Sequence, residues 1–210
     1  MEQTYFKYKF KENFSIDNFF VGSSNSHAFN VLLKNSLNNN KHILFGPSKS
    51  GKTHLCYIWK NKYDAHIYNN NINQIIDSKR NILIEDIFKN IIEEEIFHII
   101  NHCDLYNLKI LITSDISVNN YSFKINDLLS RLKTFINLNI DLPDDELLMN
   151  LMIKLFYDKQ IIVKNPEIFN YIIRRVDRSY EKVFILINKI DHLLLKTNKQ
   201  LTIPLIKELI

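Results

Sequence analysis

Glycine is scarce in this sequence: 210 residues hold three, at positions 22, 46 and 51. So few leave no room for a glycine-rich linker, and neither a low-complexity tract nor an internal repeat is found. Cysteine is scarcer still. Cys56 and Cys103 share no C-x-x-C spacing and each falls in a helix-length apolar stretch, which excludes a disulfide framework and reads as core thiols in a reducing compartment. No apolar run approaches the roughly 18 residues that span a bilayer, and the segment from Met1 to Lys9 lacks the apolar centre of a signal peptide. The expectation is a cytoplasmic protein without membrane contact. Runs of five or six basic residues are also missing: the net charge of +4 is dispersed, which excludes a dense basic arm for nucleic acid.

What is present is globular. Hydrophobic residues make up 46% and charged residues 24%, enough for a sizeable core and one large domain with a small helical companion. From His42 onward short apolar runs alternate with helix-length segments. Strands are expected at Ile43–Phe45, Ala65–Tyr68, Ile82–Ile84, Leu108–Thr113 and Phe135–Ile140, with helices over Thr53–Lys62 and Ile91–Cys103. That alternation predicts an α/β fold with a parallel sheet and helices on both faces. After Pro143 only helical patterns remain, at Glu146–Tyr157, Pro166–Val176, Ser179–Leu195 and Ile203–Ile210. The division expected is a tail over 1–12, a base domain over 13–142 and a helical lid over 143–210.

Two of the three glycines frame Gly46-Pro47-Ser48-Lys49-Ser50-Gly51-Lys52-Thr53, between a strand and a helix. This is the G-x-x-x-x-G-K-[ST] pattern of a P-loop. Loop N–H groups and the helix N-terminus surround phosphate oxygens, Lys52 neutralises charge at the β and γ phosphates, and Thr53 supplies a Mg²⁺ ligand. The ligand expected is ADP or ATP with Mg²⁺. Such a site needs acids at the end of a neighbouring strand, and Glu85 and Asp86 follow Ile84: Glu85 for Mg²⁺, Asp86 to polarise water. The strand ending Thr113-Ser114-Asp115 offers Thr113 or Ser114 as a γ-phosphate sensor. His98 and His102 are four apart beside Cys103, but nothing in the sequence completes a metal set around them.

P-loop, acidic strand end, polar third motif and helical lid in this order resemble an AAA+ ATPase of the replication-initiator (DnaA) clade. Phe14 to Asn25, with Asn18, Phe19 and Gly22, resembles the initiator segment that holds the adenine, where a glycine turn lets the backbone approach. Asn126-Asp127-Leu128-Leu129-Ser130-Arg131 resembles the segment whose arginine is a finger reaching a neighbouring subunit's nucleotide, so that Arg131 acts in trans. The sequence runs to Ile210 just beyond the lid, so no helix-turn-helix domain of the kind the full initiator carries is expected. In that it is similar to the Hda/HdaA regulators, a resemblance carried by Phe97-His98-Ile99-Ile100-Asn101, Arg178-Ser179, Thr202-Ile203-Pro204 and the turn from Pro143 to Leu148. Hda proteins bind the sliding clamp through an N-terminal peptide, to which Gln3, Phe6 and Tyr8 form a degenerate match.

The resemblance implies negative regulation of DNA replication initiation: stimulation of hydrolysis of DnaA-bound ATP with the DNA-loaded clamp. DnaA and the clamp would be direct partners, DNA an indirect one and a second copy of the chain a further one. Two departures bear on catalysis. Glu85 replaces the family's more usual Asp, and Glu181 stands where many relatives have a sensor arginine, leaving Arg178 or Lys182 to turn in from adjacent positions. A self-turning ATPase such as a helicase loader, using Asp86, and a DNA-associated module remain the other two readings.

Overall fold

The computed structural model describes residues 14–34, 39–89, 91–197 and 200–210. The clamp-peptide residues Gln3, Phe6 and Tyr8, and the tail over 1–12, lie outside the described residues. Five strands form one sheet: β1 (Lys41–Phe45), β2 (His66–Ile67), β3 (Ile82–Ile84), β4 (Ile110–Ser114) and β5 (Ile136–Asn139), in the order β2-β3-β4-β1-β5 with every pairing parallel. The sheet's helices are α1 (Ser26–Leu33), α2 (Lys52–Tyr63), α3 (Ile72–Ser78), α4 (Glu93–Tyr106) and α5 (Asn126–Leu132).

Strand side chains alternate between faces, and here the alternation sorts leucine from isoleucine. Leu44, Leu83, Leu111 and Leu138 join one core with Leu32 of α1 and Leu55, Cys56 and Trp59 of α2. Ile43, Ile82, Ile84, Ile110 and Ile112 join a second core with Ile75 of α3, Ile96, Ile100 and Cys103 of α4, and Leu128 of α5. The sheet is thus covered on both faces, as a parallel sheet requires. Both cysteines are buried free thiols, and burial raises the pKa of each, Cys103 to about 12.

The expected strands are all present, with β3 at the expected bounds and β2 two residues long where four were expected. β2 is one of the sheet's two edge strands, β5 being the other, so it has a ladder on one side alone. Helices α1, α3 and α5 were not read as helices. Each is seven or eight residues long, too short for a helical period to stand out and stable only through its contacts with the sheet.

Beyond β5 come α6 (Asp145–Asp158), α7 (Glu167–Ile173), α8 (Tyr180–Thr197) and α9 (Ile203–Lys207). Asp144 caps α6, its carboxylate accepting from the Leu147 N–H at 2.7 Å. These four helices gather a core of their own around Met152, Phe156, Ile172, Ile187 and Ile206. Leu147 and Tyr180 instead join the first sheet core. Among the described residues no helix is long and apolar enough to cross a membrane.

His42, on β1, is buried and neither ring nitrogen has a hydrogen-bond partner. Burial, helped by Lys109, lowers its pKa to about 4. An unfolded ring titrates near 6.5, so between these values the unfolded chain binds the proton first. The cost to the folded state is absent above that range, grows as pH falls through it, and amounts to about 2 kcal/mol near pH 5. His42→Leu is expected to flatten this acid limb, measured as the urea midpoint at about pH 7.5 and about pH 5; an equal loss in wild type and variant would contradict it.

Candidate functional site

The loop Gly46–Thr53 joins β1 to α2 at the C-terminal edge of the sheet. Two glycines are needed for different reasons. A Cβ at Gly46 would lie 2.8 Å from the Ile140 carbonyl oxygen and 2.9 Å from its Cβ, because the chain leaving β5 crosses the loop there. Gly51 has φ +91°, a left-handed conformation that side chains rarely adopt. Lys49 also takes positive φ, at 63°. Ser48 and Lys49 form the outer turn, closed by Ser50 N–H donating to the Pro47 carbonyl at 3.3 Å.

Lys52 is buried and its ammonium turns back on the loop. It donates to the Gly46 and Pro47 carbonyls at 2.8 and 2.9 Å and pairs with Asp115 at 2.6 Å. The Ser50 hydroxyl is buried without a hydrogen-bond partner. A loop with a left-handed turn, an orphaned hydroxyl, a helix N-terminus and a cation held by two loop carbonyls and one exposed carboxylate fits a phosphate group.

Glu85 and Asp86 follow β3. The Glu85 carboxylate accepts from Thr53 on the first turn of α2, so the two expected Mg²⁺ ligands are already together; burial raises its pKa, Asp86 adds to the rise, and the Thr53 bond opposes it. Hydroxyl and carboxylate oxygens are the hard donors that Mg²⁺ takes. Asp86 is held at φ 48° by its own N–H, which donates to the Thr113 hydroxyl at 2.8 Å. A cavity of about 310 Å³ adjoins the acid pair, bounded also by Tyr68, Asn69, Asn70 and Lys89.

One expectation is corrected. The Ser114 hydroxyl is engaged within its own turn, donating to the Ile116 carbonyl at 2.5 Å and accepting from the Ile116 N–H at 3.0 Å. Asp115, one residue on, is the side chain that reaches Lys52, and sequence reasoning passed over it; as the first residue after the strand it was the natural candidate. Gly22 opens a turn, its carbonyl accepting from the Asn25 and Ser26 N–H groups at 3.3 and 3.0 Å. Its N–H donates to Asn25 Oδ1 at 2.9 Å, and a Cβ there would make ordinary contact with Leu147 at 3.4 Å. Arg178 and Lys182 pair at the surface, Arg178 bidentate to Asp145 at 2.7 and 3.0 Å and Lys182 with Asp177.

The segment before α1 lies along α2. Phe19 stacks on Phe29 at 5.7 Å, meets His54 edge-on at 5.3 Å, and lies 3.3 Å from where a Gly51 Cβ would be. Asn18 bonds within its own turn to Ser15, while its carbonyl accepts from Lys154 of α6 at 2.9 Å. Ser24 and Tyr180 share a hydrogen bond of 2.9 Å, and Ser23 donates to Asp144 at 2.5 Å. The segment therefore ties the four terminal helices to the loop.

Arg131, on α5, lies 4.9 Å above the Phe97 ring and pairs with Asp127 at 3.4 Å and Asp104 at 3.7 Å. Its side chain is 34% exposed. These partners belong to α4 and α5, so Arg131 is held at the surface by its own neighbours. His98 and His102 contact aromatic rings, Phe97 and Tyr106, and among the described residues no group of three or more His, Cys, Asp or Glu is gathered for a metal ion.

The family description "Hda, lid domain" matches residues 158–210. The chromosomal replication initiator protein DnaA of Wolinella succinogenes is 27% identical over 94% of this chain and 52% of its own length. The chain spans about half the length of the curated relatives it matches. Domain III of DnaA from Thermotoga maritima superposes with a TM-score of 0.75 at 22% identity, covering 94% of this chain and 95% of that one. AMPPCP-bound DnaA from Aquifex aeolicus does so at 0.67 and 20% identity, covering 87% of this chain and 66% of that one. The fold is therefore the α/β AAA+ fold.

Gly46→Ala forces a methyl group against the Ile140 carbonyl. It is expected to lower stability by about 1–3 kcal/mol and to weaken binding of a fluorescent ADP analogue, measured by denaturation and by titration; an alanine variant with unchanged midpoint and affinity would contradict the cradle geometry.

Proposed function

We propose that this chain, a DnaA-related AAA+ protein with an Hda-like lid, is a regulator of replication initiation that acts on the nucleotide held by the DnaA initiator. The observation that carries this reading is where the charges lie. Lys52 of the chain's own loop is engaged by two carbonyls and Asp115, and Glu181 is exposed at the start of α8. Arg131 lies partly exposed on α5, held by pairings to Asp127 at 3.4 Å and Asp104 at 3.7 Å and by the Phe97 face.

The division of labour follows from charge. Lys52 and the loop amides would hold the β and γ phosphates of ADP or ATP, and Thr53 with Glu85 would hold Mg²⁺, which neutralises phosphate charge when bound. A glutamate at position 181 adds negative charge where a transition state needs positive charge, so the chain's own site suits holding a nucleotide rather than turning it over. An arginine supplied across an interface to a partner's nucleotide is worth roughly 10³ to 10⁵ in rate. Arg131 would supply it to DnaA, with Gln3, Phe6 and Tyr8 docking the chain on the DNA-loaded sliding clamp, so that initiation is shut off after each round. A second copy of the chain is the other proposed partner.

The self-turning ATPase keeps one observation in its favour. Asp86 is fixed by Thr113 beside a cavity with room for water, as a water-activating carboxylate must be.

The test is hydrolysis of ATP pre-bound to purified DnaA, with clamp loaded on DNA. Wild type is expected to stimulate it, and Arg131→Ala to lose at least about a thousandfold of the stimulation while its own nucleotide binding stays intact. No stimulation by the wild type would overturn the regulator reading, and turnover by the chain alone would favour the ATPase.

A further inference from the structure

Lys49 is the fourth residue of the loop, held at φ 63°, and its ammonium lies 4.8 Å from the centroid of the Phe184 ring on α8. Phe184 is four residues beyond Tyr180, which packs on the base, and three beyond Glu181; residues at these spacings share a helix face. This contact joins the P-loop to the start of α8. The other cations nearby are already spoken for by oxygen: Lys52 by two carbonyls and Asp115, Arg178 by Asp145 and Lys182 by Asp177. The Lys49 ammonium rests on a π face, a weaker partner than an anion.

We propose that Lys49 is a phosphate-binding side chain of the nucleotide site and that Phe184 is its resting place. The proposal rests on the nucleotide-binding reading above. A polyphosphate on the loop draws the ammonium off the ring, because a charge-assisted hydrogen bond outweighs a cation–π contact. The loop itself then supplies the lid-side positive charge that Glu181 denies, and the ring competes with the ligand for it. Binding of a nucleotide loosens the contact between loop and α8 as it forms. A triphosphate, with the longer reach and the larger charge, gains more from Lys49 than a diphosphate does.

The test uses fluorescent ADP and ATP analogues with Mg²⁺ on the full chain, comparing wild type, Lys49→Met, Phe184→Leu, the double variant and Lys52→Ala. Lys49→Met keeps the aliphatic stem and is expected to weaken the ATP analogue by about tenfold, with a smaller effect on ADP and a shallower salt dependence. Phe184→Leu frees the ammonium and is expected to tighten binding by about threefold. The double variant is expected to match Lys49→Met, since without the cation the ring has nothing to compete for. Wild-type affinity in Lys49→Met overturns the proposal alone, as does Phe184→Leu weakening binding, which makes the contact a structural support. Failure of wild type to bind either analogue, as Lys52→Ala is expected to fail, overturns the nucleotide reading with it. Thermal midpoints of all variants show whether each is folded.

Discussion

A lysine ammonium buried at the head of α2 sets the terms for the rest of this molecule. Lys52 is satisfied by two loop carbonyls and by Asp115, and a buried charge without such partners costs several kcal/mol or more. Meeting that demand requires the ends of two strands to arrive at one level. Parallel pairing does this: Phe45, the last residue of β1, is in register with Ser114, the last of β4. The chain leaving β5 then passes so close to the loop that only glycine fits at position 46. Strand register, loop shape and the charge on Lys52 are one constraint seen from three sides.

The terminal helices answer to the same place. The segment from Ser15 to Asn25 lays Phe19 against the head of α2 and, through Asn18, Ser23 and Ser24, holds α6, the cap residue Asp144 and α8. A displacement at the loop therefore has a bonded route to the lid. Glu181 is exposed at the start of α8 and Arg178 and Lys182 pair with carboxylates, the arrangement on which the proposed holding role rests.

Much of this was legible in the sequence. Short apolar runs bounded by helix-length segments located all five strands, most plainly β1, β3 and β4, since a strand buried on both faces has few other ways to be written. The loop was legible because its glycines are two of only three in the chain. Side-chain commitment was not. Ser114 reads as a sensor by position, yet its hydroxyl is consumed by Ile116 two residues away. Asp145, which immobilises Arg178, is 33 residues distant in sequence, and no local pattern records such a pairing. Helices α1, α3 and α5 are too short for periodicity and exist because the sheet faces need cover.

The account turns on whether the site around Lys52 takes up one nucleotide per chain and keeps it. Calorimetric titration of the chain with Mg²⁺-ADP and Mg²⁺-ATP, followed by separation of bound nucleotide, tests this most directly. The account predicts a single site for each, with bound ATP recovered largely unhydrolysed. Absence of binding, or steady conversion of ATP to ADP over many turnovers, would contradict it.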